Sequence, residues 1–346
     1  MSSSLIKNLY EYYDKPKIDL LVNDDTFPVA KLLPHIDIIH TFSYNQKKKN
    51  RWSQEKKIFK SIFRKYDVSI NLTASDRSVI YALLASKKSI SAVETKKSKS
   101  WWKIYLLSFY YYFDNKRHIL LNNLSSLDFL GIDYKLNHSE LSVPKEALFR
   151  VQQKLSNSGI KDFFIFHPSA QYTYKIYPKH LRNDLLNFLK NLGVPIIITG
   201  SKNTIDSEIK KNIESNPNIF NWIGETSIEE YLALSFLSKA YIGMDTLNMH
   251  IAASQNKRIF AIFGPTNLSM WSPWSNKLET CAHENLPIQS YGKNTIFQAD
   301  MLCVACGKAG CDDNHGVSEC LYAINPKIIF EKIEDWYTGL EVDLSP

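Results

Sequence analysis

The sequence is short of several things, and each shortage excludes a class of protein. No apolar run approaches the roughly 20 residues that a bilayer-spanning helix needs. The opening stretch MSSSLIKNLYEYYDK has no apolar h-region, so no secretory leader is expected there. Glycine and proline number only 12 and 13 of 346 residues, too few for long disordered segments. No repeat of solenoid length is present. Cysteine is missing until Cys281 and then appears at Cys303, Cys306, Cys311 and Cys320. Without a leader, that usage points to a reduced, cytoplasmic setting and not to a disulfide framework.

What is present divides into two halves. A chain of 346 residues is long enough for two domains, each burying its own core. Residues 1–150 hold 25 of the 42 Lys and Arg but 15 of the 35 Asp and Glu, a net charge of +10. The remainder carries 17 against 20, a net of −3. A basic half joined to a near-neutral one suggests an anionic partner for the first half, against the plainer reading of a solvated basic surface.

Strand and helix patterns alternate along the chain. SLIKNLYEYYDK reads as a helix, KIDLLVN as a strand, FPVAKLLPHI as a short helix and DIIHTFS as a strand. NRWSQEKKIFKSIFRKY reads as a basic amphipathic helix, YDVSINLTAS as a strand, and SDRSVIYALLAS as a helix capped by Ser75 or Asp76. WWKIYLLSFYYYF, residues 101–113, is the most aromatic stretch. It fits packing between helices better than a membrane interface, although Trp and Tyr favour that zone. HSELSVPKEALF looks like a linker into a helix, and a second alternating series follows, from DFFIFHPSA to RIFAIFGPT. The last clear helix is PKIIFEKIEDWYTGL. Strands alternating with helices predict α/β architecture with parallel, doubly wound sheets and a boundary near 135–150.

In such sheets ligands sit at the carboxyl ends of strands. Four ends in the second half carry suggestive residues. HPSAQYTYKIYP offers Ser169 and Lys175, a hydroxyl and an ammonium suited to phosphate oxygens, or an ordinary polar loop. ITGS offers Gly200, where backbone can approach a ligand, or a plain turn. In GETSIEEY, Glu230 suits a helix first turn, while Glu229 could also accept from ribose hydroxyls. YIGMDTLNMHIAAS places Asp245 and Thr246 where a helix start would aim free N–H groups at an anion.

Asp–Thr–x–x–x–His on a helix start, then a strand ending Phe–Gly–Pro–Thr, resembles the signature of glycosyltransferase family 9, the bacterial heptosyltransferases. PSAQYTYK, SIEE and INLTASDRSVIYALL fit in order, so the resemblance covers nearly the whole chain, closest to the lipopolysaccharide core heptosyltransferase III type. It implies a GT-B architecture of two Rossmann-like domains facing across a cleft. Residues 1–140 would form the acceptor-side domain and 141–325 the ADP-sugar-binding domain, with 326–346 a C-terminal helix crossing back to the first. It implies ADP-L-glycero-D-manno-heptose as donor and the inner core on lipid A as acceptor, with inversion, no catalytic metal and no nucleic acid. Ser169 and Lys175 would hold the donor diphosphate, Glu229 the ribose, Asp245 the sugar hydroxyls, and the Thr246–Leu247 backbone a phosphate. His250 would lie behind them and orient the loop as a buried, satisfied side chain. KKKNR (47–51) and EKKIFKSIFRK (55–65) would face phosphorylated lipid A core and the anionic inner leaflet, making the enzyme cytoplasmic and peripheral.

The sequence departs from the family pattern in two places. The family's first strand ends in a Gly–Asp loop whose Asp is the expected general base. Here MSSSLIKNLYEYYDKPKIDLLV corresponds to the helix after that loop and the next strand, and Asp14 and Asp19 stand at the wrong places to substitute. The first domain is therefore expected to lack a strand, leaving a sheet edge or a gap. Leu247 also replaces the Gly often found after Asp–Thr. These departures keep open a relative that binds nucleotide sugar or lipopolysaccharide without transfer, or a GT-B transferase or epimerase for another sugar. Separately, four thiolates at Cys303, Cys306, Cys311 and Cys320 suit a tetrahedral structural zinc, with free packed thiols the other reading.

Overall fold

The computed structural model describes residues 1–136 and 141–339. It divides the chain into two compact units, residues 1–142 and 143–346. Part of the expected linker, 137–140, and the last residues, 340–346, lie outside the described residues, as do the side chains of residues 46–50, which include most of the KKKNR stretch.

In the first unit the order is α1 (Ser3–Tyr12), β1 (Asp19–Asn23), α2 (Phe27–Ala30), β2 (Ile38–Phe42), α3 (Tyr44–Ile62), β3 (Val68–Asn71), α4 (Asp76–Ala85), β4 (Lys88–Val93), α5 (Lys97–Leu106), β5 (Phe109–Tyr112) and α6 (Ile119–Asp128). Five strands make two parallel sheets, β1–β2 and β3–β4–β5. Tyr66 ties them together: its hydroxyl donates to Asp19 of β1 at 2.7 Å and lies 3.0 Å from the His40 ring of β2. α4 starts where the sequence predicts, with the Ser75 hydroxyl accepting from the Ser78 N–H. Phe42, Ile58, Ile62, Tyr81 and Ala85 close one core, and Val79, Val93 and Leu107 another.

The aromatic stretch 101–113 is not the inter-helix core stretch expected of it. It splits into the end of α5 and strand β5, and Trp101 is 68 % exposed and Tyr105 86 % exposed. The residue that turns inward is Lys103, with no exposure at all. Its ammonium reaches Glu94 at 2.7 Å, Asp76 at 2.8 Å and the Ala74 carbonyl at 2.5 Å. Burial opposes its charge, but the two carboxylates outweigh burial and raise its pKa above the usual lysine value.

The second unit runs α7 (Lys145–Asn157), β6 (Phe164–His167), α8 (Lys179–Leu189), β7 (Ile196–Ile198), α9 (Thr204–Lys211), β8 (Ile219–Asn221), α10 (Ile228–Leu237), β9 (Ala240–Met244), α11 (Leu247–Ser254), β10 (Arg258–Ile262), α12 (Leu268–Trp271), β11 (Ile288–Tyr291), β12 (Asn294–Phe297), α13 (Glu319–Tyr322) and α14 (Pro326–Tyr337). One seven-stranded sheet forms in the order β11–β12–β10–β9–β6–β7–β8. Every pairing is parallel except β11 with β12. The central strands, FIFH, III, AYIGM and RIFAI, are apolar apart from His167 and Arg258 at two strand ends, because helices cover both faces of a parallel sheet. α14 packs on α8. Its Trp336 ring lies 5.7 Å from Phe164 and 5.6 Å from Phe260.

Candidate active site

The connectivity of the second unit singles out one place. From β6 the chain moves to β7 and β8 on one side, then returns to the other side of β6 as β9 and β10. Connections therefore leave β6 and β9 in opposite directions. The carboxyl ends of these two strands border a crevice, the usual ligand position in an open α/β sheet.

β9 lies against β6 with His167 paired to Gly243. Gly243 has φ +154°, and a Cβ there would stand 2.3 Å from the His167 carbonyl oxygen, so only glycine permits this approach. Asp245 and Thr246 follow. The Tyr241 hydroxyl fixes their turn, donating to the Met244 carbonyl at 2.7 Å and lying 3.3 Å from the Thr246 hydroxyl. Thr246 has extended backbone at the cap position of α11, and its side chain makes no capping bond. The first-turn N–H groups of α11 thus donate no bond to the cap side chain.

Lys175 reaches this turn from the loop after β6. A short 3-10 turn, Thr173–Lys175, brings its ammonium to 3.3 Å from the Asp245 carboxylate. Stacked rings of Tyr172 and Tyr174, 5.3 Å apart, hold the loop beside His315. Burial raises the Asp245 pKa above the ordinary carboxylate value, while Lys175 and a hydrogen bond with Thr266 pull it down. Thr266 belongs to the Gly264–Pro265–Thr266 turn after β10. Side chains at the ends of three adjacent strands thus meet as Lys175, Asp245 and Thr266, with Thr246 beside them.

A second cluster sits at the ends of β6 and β7. The Ser169 hydroxyl, buried, donates to Asp206 in the first turn of α9. Asp206 also accepts from the Ser201 N–H at 2.5 Å, and Asn203 caps α9 by accepting from the Asp206 N–H at 2.7 Å. Gly200 fits tightly: a Cβ there would be 3.2 Å from both Asp206 and Ile223. Ser169 and Gly200 therefore meet around Asp206, while Lys175 and Asp245 meet one strand away.

His167 braces the two clusters. Its Nδ1 lies 3.0 Å from the Thr199 hydroxyl, and the Asn248 amide is 3.0 Å from the same nitrogen. Burial pushes its pKa down to about 4, so the ring is neutral at physiological pH. Glu230 forms a capping box with Ser227 and pairs with Arg150 at 2.9 Å, as a helix-start acid should. Glu229 is half-buried in the same first turn. Leu247 is exposed at the start of α11, and His250 is half-buried with its ring 6.4 Å from Trp271.

Sequence reasoning did not assign His167, Thr199, Asp206, Asn248 or Thr266. The Phe–Gly–Pro–Thr turn flagged Thr266 as part of a strand end without giving it a role. Asp206 draws one partner, Ser201, from the connection just before α9, but the other, Ser169, comes from the loop after β6, 37 residues away. Cys303, Cys306 and Cys311 are exposed and Cys320 is buried, all without disulfides. Among the described residues, no group of three or more His, Cys, Asp or Glu is placed to hold a metal ion.

Residues 56–299 match glycosyltransferase family 9 (heptosyltransferase). The chain is 25 % identical over 293 residues to lipopolysaccharide heptosyltransferase 3 of Escherichia coli, covering 80 % of this chain and 83 % of that one. The structure of Escherichia coli ADP-heptose LPS heptosyltransferase II superposes with a TM-score of 0.72 at 18 % identity, over 99 % of this chain and 95 % of that one. Escherichia coli heptosyltransferase WaaC with ADP-2-deoxy-2-fluoro heptose superposes with a TM-score of 0.69 at 12 % identity, over 96 % and 94 %. The α/β GT-B fold expected from the sequence is the fold these structures share with it. A family match that spans both units, on a sheet whose switch point gathers Lys175, Asp245 and a helix start, makes the chain a glycosyltransferase and a member of glycosyltransferase family 9.

Proposed function

We propose that this enzyme transfers L-glycero-D-manno-heptose from ADP-L-glycero-D-manno-heptose to the inner core of lipopolysaccharide, with inversion and without a catalytic metal. The observation that carries the reading is the meeting of Lys175 with Asp245 at the N-terminus of α11. A donor diphosphate would take the Lys175 ammonium as its counter-ion and the first-turn N–H groups of α11 as donors. Both stabilise charge as ADP departs, the role a cation serves in other transferases. Asp245, freed from Lys175, would accept from sugar hydroxyls. Glu229, in the first turn of α10, is the candidate for the ribose. Ser169 acts through Asp206, shaping the loop beneath the diphosphate.

The acceptor hydroxyl attacks the anomeric carbon from the face opposite ADP, and its proton passes to a base. Asp245 and Asp206 do not suit that role, being engaged by Lys175 and Thr266 and by Ser169 and Ser201. The family resemblance gives it to an Asp in a Gly–Asp loop. The engagement of both acids favours a second reading, a relative that binds nucleotide sugar without transfer. Because the acceptor is anchored in lipid, the enzyme would work at the cytoplasmic surface of the inner membrane.

Lys175→Ala tests the reading. Heptose transfer, followed by mass spectrometry of the acceptor, should fall by roughly 10²–10³, as when one oxyanion donor is removed. The thermal melt should stay within a few degrees of wild type. Wild-type turnover in the variant would refute the assignment. ADP binding by the unmutated chain with no product would establish the second reading.

A further inference from the structure

α8 turns inward a stripe of four buried residues, Arg182, Leu185, Leu186 and Leu189. That spacing is the one an apolar helix face takes, and an arginine stands at its first position. Only 3 % of Arg182 is exposed. Its Nε makes no hydrogen bond, and among the described residues its guanidinium forms no ion pair. Burial, with no carboxylate to offset it, lowers its pKa below the usual arginine value. A guanidinium nevertheless stays protonated in proteins. A buried cation without a partner is costly, so its counter-charge is expected from a bound anion.

Arg182 lines a recess of about 320 Å³ between α8 and α9. Lys179, the first residue of α8, and Thr204, the first of α9, line it too, with Thr173 from the loop after β6. Lys179 is exposed and pairs with no acid among the described residues. Pro178 holds the cap position of α8, so no side chain caps the first-turn N–H groups of that helix. Glu208 is the one acid lining the recess among the described residues, and it is turned to Lys211 at 2.8 Å. Two cations, two hydroxyls and an uncapped helix start therefore border one recess. An arginine fork, a lysine point charge and hydroxyl donors together suit the oxygens of a phosphate.

We propose that this recess is a binding site for a phosphoryl group, held by Arg182 and Lys179 with hydrogen bonds from Thr173 and Thr204. Neither Lys175 nor Asp245 lines it, so it is distinct from the place where those two meet. Thr173 links the two, because it opens the 3-10 turn Thr173–Lys175. An occupant thus steadies the loop that carries Lys175. The proposal goes beyond the transfer reading and needs neither its donor nor its acceptor.

The test uses the full chain in chloride buffer, with inorganic phosphate as the probe and calorimetry as the readout. Wild type should bind phosphate saturably. Arg182→Met should lose at least roughly 10-fold in affinity, the loss of a charged hydrogen-bond donor. Lys175→Ala should keep this binding. Without phosphate, Arg182→Met should melt at or above wild type, because methionine fills the stripe without an unpaired charge. Added phosphate should raise the melt of wild type and leave that of Arg182→Met in place. Lys179→Gln, at an exposed position where folding is not at stake, should weaken binding by up to about 5-fold. Absence of saturable binding to wild type, equal affinity in Arg182→Met and Lys179→Gln, an equal loss in Lys175→Ala, or a lower phosphate-free melt of Arg182→Met would each overturn the proposal. Glycerol 3-phosphate binding as tightly as inorganic phosphate would assign the site to a phosphoryl group on a larger molecule; weaker binding would assign it to the free ion.

Discussion

Gly243 is where a single methyl group should be felt most. Alanine there places a Cβ 2.3 Å from the His167 carbonyl oxygen, against an ordinary contact of 3.4 Å or more. The deficit is about 1.1 Å, and the obstacle is strand backbone, which has no rotamer to escape into. β6 and β9 must separate or slip where His167 faces Gly243. Moving a strand by about 1 Å breaks one or two backbone hydrogen bonds, each worth about 1 kcal/mol net. Overpacking adds about 1–3 kcal/mol. The sum, roughly 2–5 kcal/mol, is a large share of the 5–15 kcal/mol typical of a domain. The same movement draws Asp245 away from Lys175. Gly243→Ala should therefore lower the urea midpoint and weaken ADP binding measured by calorimetry. A midpoint within about 0.5 kcal/mol of wild type with unchanged ADP affinity would show that β6 and β9 are not held as close as described.

Two further outcomes follow from the same unit. His167 has its pKa lowered by burial from 6.5 to about 4, so below pH 6.5 the unfolded chain takes a proton that the folded one refuses. Its contribution makes stability rise with pH between about 4 and 6.5, by up to roughly 3 kcal/mol; His167→Asn should shrink the difference between urea midpoints at pH 5 and pH 7, and an unaltered difference would contradict the neutral ring. Ser227→Ala removes the capping box of α10 and should cost about 1 kcal/mol, read as a lower midpoint.

The α/β fold and the strand ends were legible because their signals are local. A strand buried on both faces writes itself as a largely apolar run, as in β6, β7, β9 and β10. Ser75 and Ser227 announce helix starts within four residues. Most of the failures are non-local. α5 reads wrongly because the usual rule sends lysine outward, whereas Lys103 turns inward to Asp76 and Glu94. Since Lys103 lies 200° round the helix from Trp101, that one choice of phase puts Trp101 and Tyr105 outside. The β11–β12 hairpin was missed as well, hidden in a stretch with weak alternation around Gly292. At the site, Lys175 and Asp245 are 70 positions apart, and only the family resemblance joined them before the structure did. The role of Asp206 is hidden for the same reason, since Ser169 reaches it from 37 positions away.

The cysteines give the second unit a chemical clock. Three residues, Cys303, Cys306 and Cys311, are exposed, where a maleimide can reach them in the native state. The other two, Cys281 and Cys320, are buried, and burial pushes each thiol up to about 11, so little thiolate exists at neutral pH. Labelling therefore proceeds in two stages, a fast one that reads the surface and a slow one that waits for the unit to open. The slow stage times the unfolding of the second unit's core without any added probe.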